Sequence, residues 1–271
     1  MTRGRTERVL TSHWDGRALR RRPDHLIVEE PLEIHLDGHL VSTTMRTPGH
    51  DFELAVGFVH GDGLLAGATV TTCRYCATGS AVEREFNVVS VDTGGCAPRP
   101  APRLTATTSA CGMCGSTAVD ELRQQIGPLP IGAPWPAGLL AALPASVRPE
   151  QDLFAATGAV HAAAAFDRAG RVLVVREDIG RHNAVDKIVG RLLLDGLLPA
   201  TELGLYVSGR AGFEIVQKAW AAGFTALVSV SAPSALGVEA ARRSGMTLVG
   251  FVRGEPPVAN VYSPESGFSA K

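Results

Sequence analysis

Leu32-Glu33-Ile34-His35-Leu36 alternates apolar and polar side chains, Asp37-Gly38 supplies turn chemistry, and His39 to Thr44 returns, a pattern that predicts a β-hairpin with one buried face. After Pro48 and Gly49, the residues Phe52, Ala55, Val56 and Val59 recur at helical spacing until Gly61, which predicts one amphipathic helix packed on that hairpin. Strand patterns at Phe86 to Val91 and Arg103 to Thr107 lead into a loop holding Cys111 and Cys114. A helix is expected from Thr117 to Ile126, where Asp120 and Glu121 suit the positive end of the helix dipole. Between Gly127 and Pro149 the residues Pro128, Pro130, Pro134, Pro136, Pro144 and Pro149 mark a junction, with a short helix at Leu139 to Leu143. Beyond it the expected order is strand, strand, helix, strand, helix, strand, helix, strand. The strands are Ala159 to Phe166, Arg171 to Val175, Leu203 to Val207, Ala226 to Val230 and Thr247 to Val252. Val185, Ile188, Val189 and Leu192 form one apolar helical stripe, and Phe213, Val216 and Trp220 another.

Alternating helices and buried strands imply a three-layer α/β/α unit, so the fold class is α/β with a smaller N-terminal α+β domain before it. The expected division is a basic flexible arm at 1–24, the α+β domain at 25–127, a Pro/Gly-rich linker at 128–149, the α/β/α domain at 150–262 and a tail at 263–271. There is no internal repeat and no low-complexity tract.

Composition narrows the function classes. The 271 residues are 45% hydrophobic with a formal net charge of −1, which suits buried cores and argues against coating nucleic acid or acidic membranes. The exception is the N-terminus, where Arg3, Arg5, Arg8, Arg17, Arg20, Arg21 and Arg22 read as a solvated arm or an electrostatic docking element. Arg20-Arg21-Arg22 is followed by Pro23-Asp24-His25 rather than the apolar stretch of an export signal, and no apolar run approaches the roughly 20 residues of a membrane span. A soluble, cytoplasmic protein is expected, with five cysteines that are reduced or metal-bound rather than a disulfide scaffold.

Cysteine chemistry is the sharpest local signal. Cys111-Gly112-Met113-Cys114-Gly115 lies just before a predicted helix, where terminal N–H groups and the dipole favour a thiolate, the form that attacks electrophiles or carries sulfur. Flanking glycines let the loop bend sharply. Cys73-Arg74-Tyr75-Cys76 is a second C-x-x-C, separated from the first by 34 residues, and four thiolates from two such knuckles could hold a tetrahedral zinc. Zinc ribbons usually separate their knuckles by roughly 15–20 residues, so sulfur-transfer or redox chemistry, structural zinc and inert thiols all stay open on the residues alone. Cys96 has no partner motif.

Three polar clusters fall at strand ends, where α/β sheets bind ligands. Arg176-Glu177-Asp178-Ile179-Gly180-Arg181-His182-Asn183 reads either as a polar ligand site or as helix capping in which Asp178 and Asn183 pair with Arg181 or His182. Ser208-Gly209-Arg210 ends the next strand, where Arg210 could hold an anion. Phe251-Val252-Arg253-Gly254-Glu255-Pro256 leaves the last strand, either as a nucleotide grip or as an ordinary strand exit. Neither G-x-G-x-x-G nor a Walker pattern occurs. His161, among alanines, reads as a core histidine.

These motifs, together with Glu30-Pro31-Leu32-Glu33-Ile34, Met45-Arg46-Thr47-Pro48-Gly49 and Leu248-Val249-Gly250-Phe251, occur in an order that resembles the FdhD family of formate dehydrogenase accessory sulfurtransferases. The resemblance runs from about residue 25 to residue 262. It implies a homodimeric sulfur carrier that accepts sulfane sulfur from a cysteine desulfurase and passes it to the molybdenum cofactor, bis-molybdopterin guanine dinucleotide, of formate dehydrogenase. It also implies a cytidine-deaminase-like C-terminal half, though the H-x-E motif that deamination needs does not precede Cys111. Carried over, Cys111 is the persulfide cysteine and Cys114 its neighbour. Phe251, Val252, Arg253, Gly254, Glu255 and Pro256 contact the cofactor, with Arg181, His182 and Arg210 as phosphate or guanine neighbours. No metal ligand set follows. Where the family often has a basic residue after the glycine of the last segment, this chain has Glu255-Pro256-Pro257. Cys73 and Cys76 are not required by the family and are expected to be structural. The competing classes are a thiol oxidoreductase, disfavoured because its C-x-x-C would open a first βα junction, and a zinc-stabilised binding protein that would unfold on chelation.

Overall fold

The structure, a computed structural model, describes residues 4–76, 80, 82, 86–100, 115–264 and 267–269. Cys111, Cys114 and the strand expected at Arg103 to Thr107 lie outside the described residues. The architecture is α/β: a four-stranded and a six-stranded sheet, two small pairings and seven α-helices among the described residues.

The expected hairpin is β3 (Glu30–Leu36) and β4 (His39–Arg46), antiparallel. β3 also pairs in parallel with β6 (Val88–Asp92), whose outer neighbour is β5 (Thr72–Tyr75), giving the order β4-β3-β6-β5. The alternation read in the sequence is the burial pattern: Leu32, Ile34 and Leu36 are fully buried against α1 (Asp51–Gly61), whose Leu54, Ala55, Val56 and Val59 complete this core.

The second sheet has the order β13-β12-β11-β10-β8-β9. It is built from β8 (His161–Asp167), β9 (Val172–Asp178), β10 (Leu203–Val207), β11 (Ala226–Ser229), β12 (Thr247–Arg253) and β13 (Val258–Ser263). Strands β10, β11 and β12 are parallel, while β8, β9 and β13 run antiparallel to their neighbours. Period-two alternation splits the side chains between two layers. Ala163, Ala165, Leu205, Val207 and Leu227 face α5 (Arg181–Leu194), α6 (Phe213–Ala221), α7 (Ala235–Ser244) and α2 (Gly115–Ile126). Ala164, Phe166, Tyr206, Ala226 and Val228 face the other way, onto α3 (Ala137–Val147) and Trp135 of β7 (Trp135–Pro136). A Cβ at Gly204 would lie 2.2 Å from Phe166 Cζ, so the absence of a side chain there makes room for the ring.

Two segments differ from expectation. The basic arm is a β-ribbon, β1 (Thr6–Trp14) paired antiparallel with β2 (Leu19–Ile27). Asp15 Oδ1 accepts from the N–H groups of Arg17 and Ala18, and Gly16 takes a positive φ of 93°, which turns the chain. The stretch 128–149, read from its prolines as a linker, contributes β7 and α3, burying Trp135, Leu140, Leu143 and Val147 under the sheet. β7 pairs with β14 (Phe268–Ser269), so the tail returns to this layer.

Helices α1 and α5 join the two halves and cross at glycine. A Cβ on Gly57 would sit 1.8 Å from the Asp186 carbonyl oxygen, and one on Gly190 would sit 1.8 Å from that of Glu53. Backbone meets backbone, and no side chain fits between. Gly57→Ala and Gly190→Ala are therefore expected to cost about 3 kcal/mol or more each, the upper range for overpacking. Urea denaturation would show this as a lower midpoint, and an unchanged midpoint would contradict the crossing.

Candidate functional site

The polar run at the end of β9 does three separate jobs. Asp178, fully buried, lies 2.7 Å from the fully buried Lys187 ammonium. Its Oδ2 also accepts from Thr47 N–H at 3.1 Å, and its Oδ1 from Gly180 N–H at 2.8 Å and Asn183 Nδ2 at 3.0 Å. Lys187 Nζ donates further to the carbonyls of Thr47 at 3.0 Å and Glu177 at 3.4 Å. Asn183 Nδ2 reaches Met45 O at 2.8 Å, and Thr47 Oγ1 accepts from Ile179 N–H at 3.1 Å. Asp178 and Asn183 thus pair with Lys187, the end of β4 and Thr47, not with Arg181 or His182. These residues fasten the N-terminal hairpin to the start of α5.

Glu177 points elsewhere. Its two carboxylate oxygens accept from Leu153 N–H and Phe154 N–H, both at 2.8 Å, at the start of α4 (Asp152–Thr157). That helix, with a 3-10 turn at Arg148–Glu150, walls a cavity of about 600 Å³. The cavity opens at the carboxyl ends of β10 and β11, the usual ligand edge of such sheets. Its lining includes Arg148, Phe154, His161, Tyr206, Ser208 and Val230. The Arg148 guanidinium lies 4.4 Å over the Phe154 ring centre. Burial pushes the Tyr206 phenol up to about 12 in spite of the nearby Arg148 and Arg253 charges.

Arg148 and His161 are the basic side chains that line this cavity. His161, expected in the core, lines it instead, and burial with the charges of Arg181 and Arg210 lowers its pKa, so it is held neutral. Arg253 donates to the Val230 carbonyl at 2.6 Å and so lies at the cavity edge. The neighbours of Arg253 divide. Val252 is buried under α3, while Phe251 is 41% exposed in a left-handed conformation with φ 53°, at a bulge in the β12–β13 pairing. Gly254, Glu255 and Pro256 form the turn between those strands. His182 faces α6, 3.0 Å from Glu214; burial and the Arg181 charge bring its pKa down to about 4, so the imidazole is neutral at pH 7. The Arg181 and Arg210 charges thus act on His161 of the lining and Arg253 bonds Val230 at its edge, while Val252 lies under α3 and His182 pairs with Glu214.

Sequence reasoning missed Arg148, Gln151, Phe154 and Tyr206. The first three sit in or beside the Pro-rich stretch, and Tyr206 reads as an ordinary strand residue. Only their position around the cavity after folding marks them.

Cys73 of the second C-x-x-C is a poor nucleophile. Burial and the Asp92 charge push the Cys73 thiol up to about 12, and Cys76 is buried with its Sγ 3.9 Å from Ser80 O. Among the described residues no group of three or more His, Cys, Asp or Glu side chains is placed to hold a metal ion.

Comparison with known proteins follows the same outline. The profile of the FdhD/NarQ family matches residues 27–268. A Sulfur carrier protein FdhD from Nocardia farcinica is 50% identical over 90% of this chain and 88% of its own length. The protein of that name from Corynebacterium efficiens is 44% identical over 91% of each chain. A provisionally assigned formate dehydrogenase accessory protein from Desulfotalea psychrophila, solved by crystallography, superposes with a TM-score of 0.75 at 23% identity. It covers 98% of this chain and 100% of its own, which shows the shared fold.

Two outcomes follow from the ion pairs. Asp178→Ala leaves a buried ammonium uncompensated and should cost about 3–5 kcal/mol by chemical denaturation, whereas an exposed pair such as Arg191–Asp195 should contribute about 1 kcal/mol or less. Burial raises the Glu53 pKa, but hydrogen bonds and charge from Arg176 and His50 outweigh it and hold the carboxyl at about 2, below its ordinary 4.5. Its stabilisation is complete above pH 4.5 and lost as pH falls towards 2. Glu53→Gln should flatten the acid limb of a stability–pH curve in that window. An unaltered limb would mean Glu53 is not the group responsible.

Proposed function

The chain belongs to the FdhD/NarQ family, and from that premise we propose that it is a sulfur carrier serving formate dehydrogenase. The observation that carries this reading is the match across residues 27–268 to a family whose relatives are named for sulfur carriage. In the finer reading, Cys111 thiolate attacks the outer sulfur of a cysteine desulfurase persulfide. A new S–S bond forms on Cys111, the donor S–S bond breaks, and the donor leaves as a thiolate. Delivery then releases that outer sulfur in one of two ways. Either an electron pair of the reduced acceptor attacks the outer sulfur, so that an acceptor–sulfur bond forms, the S–S bond breaks, Cys111 leaves as a thiolate and the acceptor is oxidised by two electrons, or Cys114 attacks Cys111 Sγ, the outer sulfur leaves as hydrosulfide, and the resulting Cys111–Cys114 disulfide is later reduced by a dithiol.

The sulfur acceptor in this reading is the bis-molybdopterin guanine dinucleotide of formate dehydrogenase, whose molybdenum takes the sulfur as a ligand. The cavity beside Arg253 suits its nucleotide portion. Arg181 and Arg210 supply positive charge for phosphate oxygens, His161 is a neutral hydrogen-bonding group, and Phe154 and Tyr206 supply apolar surface. Phe251 to Pro256 border that edge through Arg253. The partners are then a cysteine desulfurase, formate dehydrogenase and a second copy of the chain. The buried, high-pKa Cys73 weighs against a dithiol made from the upstream C-x-x-C.

The test is incubation of the reduced protein with a cysteine desulfurase and cysteine, followed by peptide mass spectrometry. One added sulfur on Cys111, absent in Cys111→Ala and retained in Cys73→Ala, is the expected result. No added sulfur on any cysteine, with the donor proven active on another acceptor, would overturn the carrier role.

A further inference from the structure

We propose that the β1–β2 ribbon is an arm that docks, by its apolar face, on the acidic body of a second copy of this chain. This rests on the reading that the chain pairs with itself, and deepens it by naming the segment that does so. The register sorts the side chains of the ribbon. Residues directly opposite one another in an antiparallel pair share a face, and the face alternates along each strand. Trp14 lies opposite Leu19, Ser12 opposite Arg21 and Leu10 opposite Pro23, so these six share one face, while Arg20 and Arg22 fall on the other. The large apolar side chains of the first face stand in water: Leu10 is 61% exposed, Trp14 67% and Leu19 71%. A tryptophan and two leucines gathered on one exposed face beside an arginine have the composition of a protein–protein contact, not of a solvated loop.

The ribbon is held at its root. Val28 N–H donates to the Arg5 carbonyl at 2.9 Å and closes the base, the Arg5 stem lies against Gly49, and β2 passes beside α4. From there, nine residues in each strand extend about 30 Å, more than the radius of gyration of about 18 Å expected of a compact chain of this length. A two-stranded hairpin is marginal in water by itself, so a ribbon this long gains from a surface to lie on. Charge selects that surface. Residues 1–28 hold seven arginines against Glu7, Asp15 and Asp24, a net +4, and since the whole chain carries −1, residues 29–271 carry −5. Arm and body are opposite in sign, yet the exposure of both strands shows that the arm does not lie on its own body. A second copy presents the same negative body, and in a two-fold pair each arm is met in return.

The experiment is sedimentation velocity over a series of dilutions on the full chain and two double variants, Leu10→Asp with Trp14→Asp and Arg20→Glu with Arg22→Glu, with circular dichroism to confirm folding. Tryptophan fluorescence is the second readout: Trp135 and Trp220 are buried within the chain, so iodide quenching of the unaltered protein reports on Trp14. A dimer whose Trp14 is shielded from iodide, and becomes accessible on dilution, is the expected result. The Leu10 and Trp14 variant should weaken that dimer at least about tenfold, the lower end for losing one buried apolar side chain. The Arg20 and Arg22 variant should weaken it too and reduce its sensitivity to added salt. A dimer that both variants leave unchanged in strength is held by another surface, which overturns the arm and leaves self-pairing standing. A full chain that stays monomeric throughout, with Trp14 open to iodide, overturns both, while sulfur loading of Cys111 is judged by its own assay. A monomer in which Trp14 is shielded only when formate dehydrogenase is added makes that enzyme the occupant and overturns docking on a second copy.

Discussion

The fold depends on one buried ion pair. Asp178 and Lys187 are both sealed from water, an arrangement that costs several kcal/mol per charge unless every lone pair and proton is used. Here they are used: the carboxylate takes two backbone N–H groups and an amide besides the ammonium, and the ammonium takes two carbonyls besides the carboxylate. Because Thr47 supplies both a donor and an acceptor, the pair is satisfied only when the N-terminal hairpin is docked. Specificity of assembly, more than net stability, is what such a pair contributes. The same reasoning covers the Arg46–Asp51 pair, which closes the hairpin onto the start of α1 with N–O distances of 3.1 Å.

A division of labour follows within a single stretch of chain. Glu177 looks to the cavity wall and Asp178 to the domain seam, the Arg181 charge acts on His161, and His182 turns towards α6. Neighbouring residues on a strand point to opposite faces, so a strand that ends at a seam between units can serve both sides at once. The concentration of charge there reflects that geometry rather than one ligand.

Much of this was legible in the sequence where burial has a period. β10 coincides with the apolar run Leu203 to Val207, and the stripe Val185, Ile188, Val189 and Leu192 is buried as expected. The ribbon at β1 and β2 was not, because its alternation carries few apolar residues and buries no face; the Asp15-Gly16 pair was the available signal. Helix α3 holds Pro144 in its interior, and its prolines masked a segment whose Leu140 and Leu143 are committed to the core by tertiary packing. Within the candidate site, Arg210 and Arg253 were visible as charges at strand ends. The ring of Phe154 and the partner of Asp178 were not, since pairings between Thr47 and Asp178 span 131 positions of chain and leave no local pattern.

The glycine crossing of α1 and α5 adds a property that ion pairs lack. Side-chain interfaces can slip, since rotamers rearrange and the helices find a neighbouring register. Here the contact surface is the peptide backbone, which has no rotamers. Sliding α5 by one turn, about 5.4 Å, would bring Asp186 or Leu194 to the place where only a hydrogen atom fits. The two halves are consequently keyed like a tooth in a notch. A change of shape by sliding α5 along α1 is thereby excluded, because the crossing admits only one register.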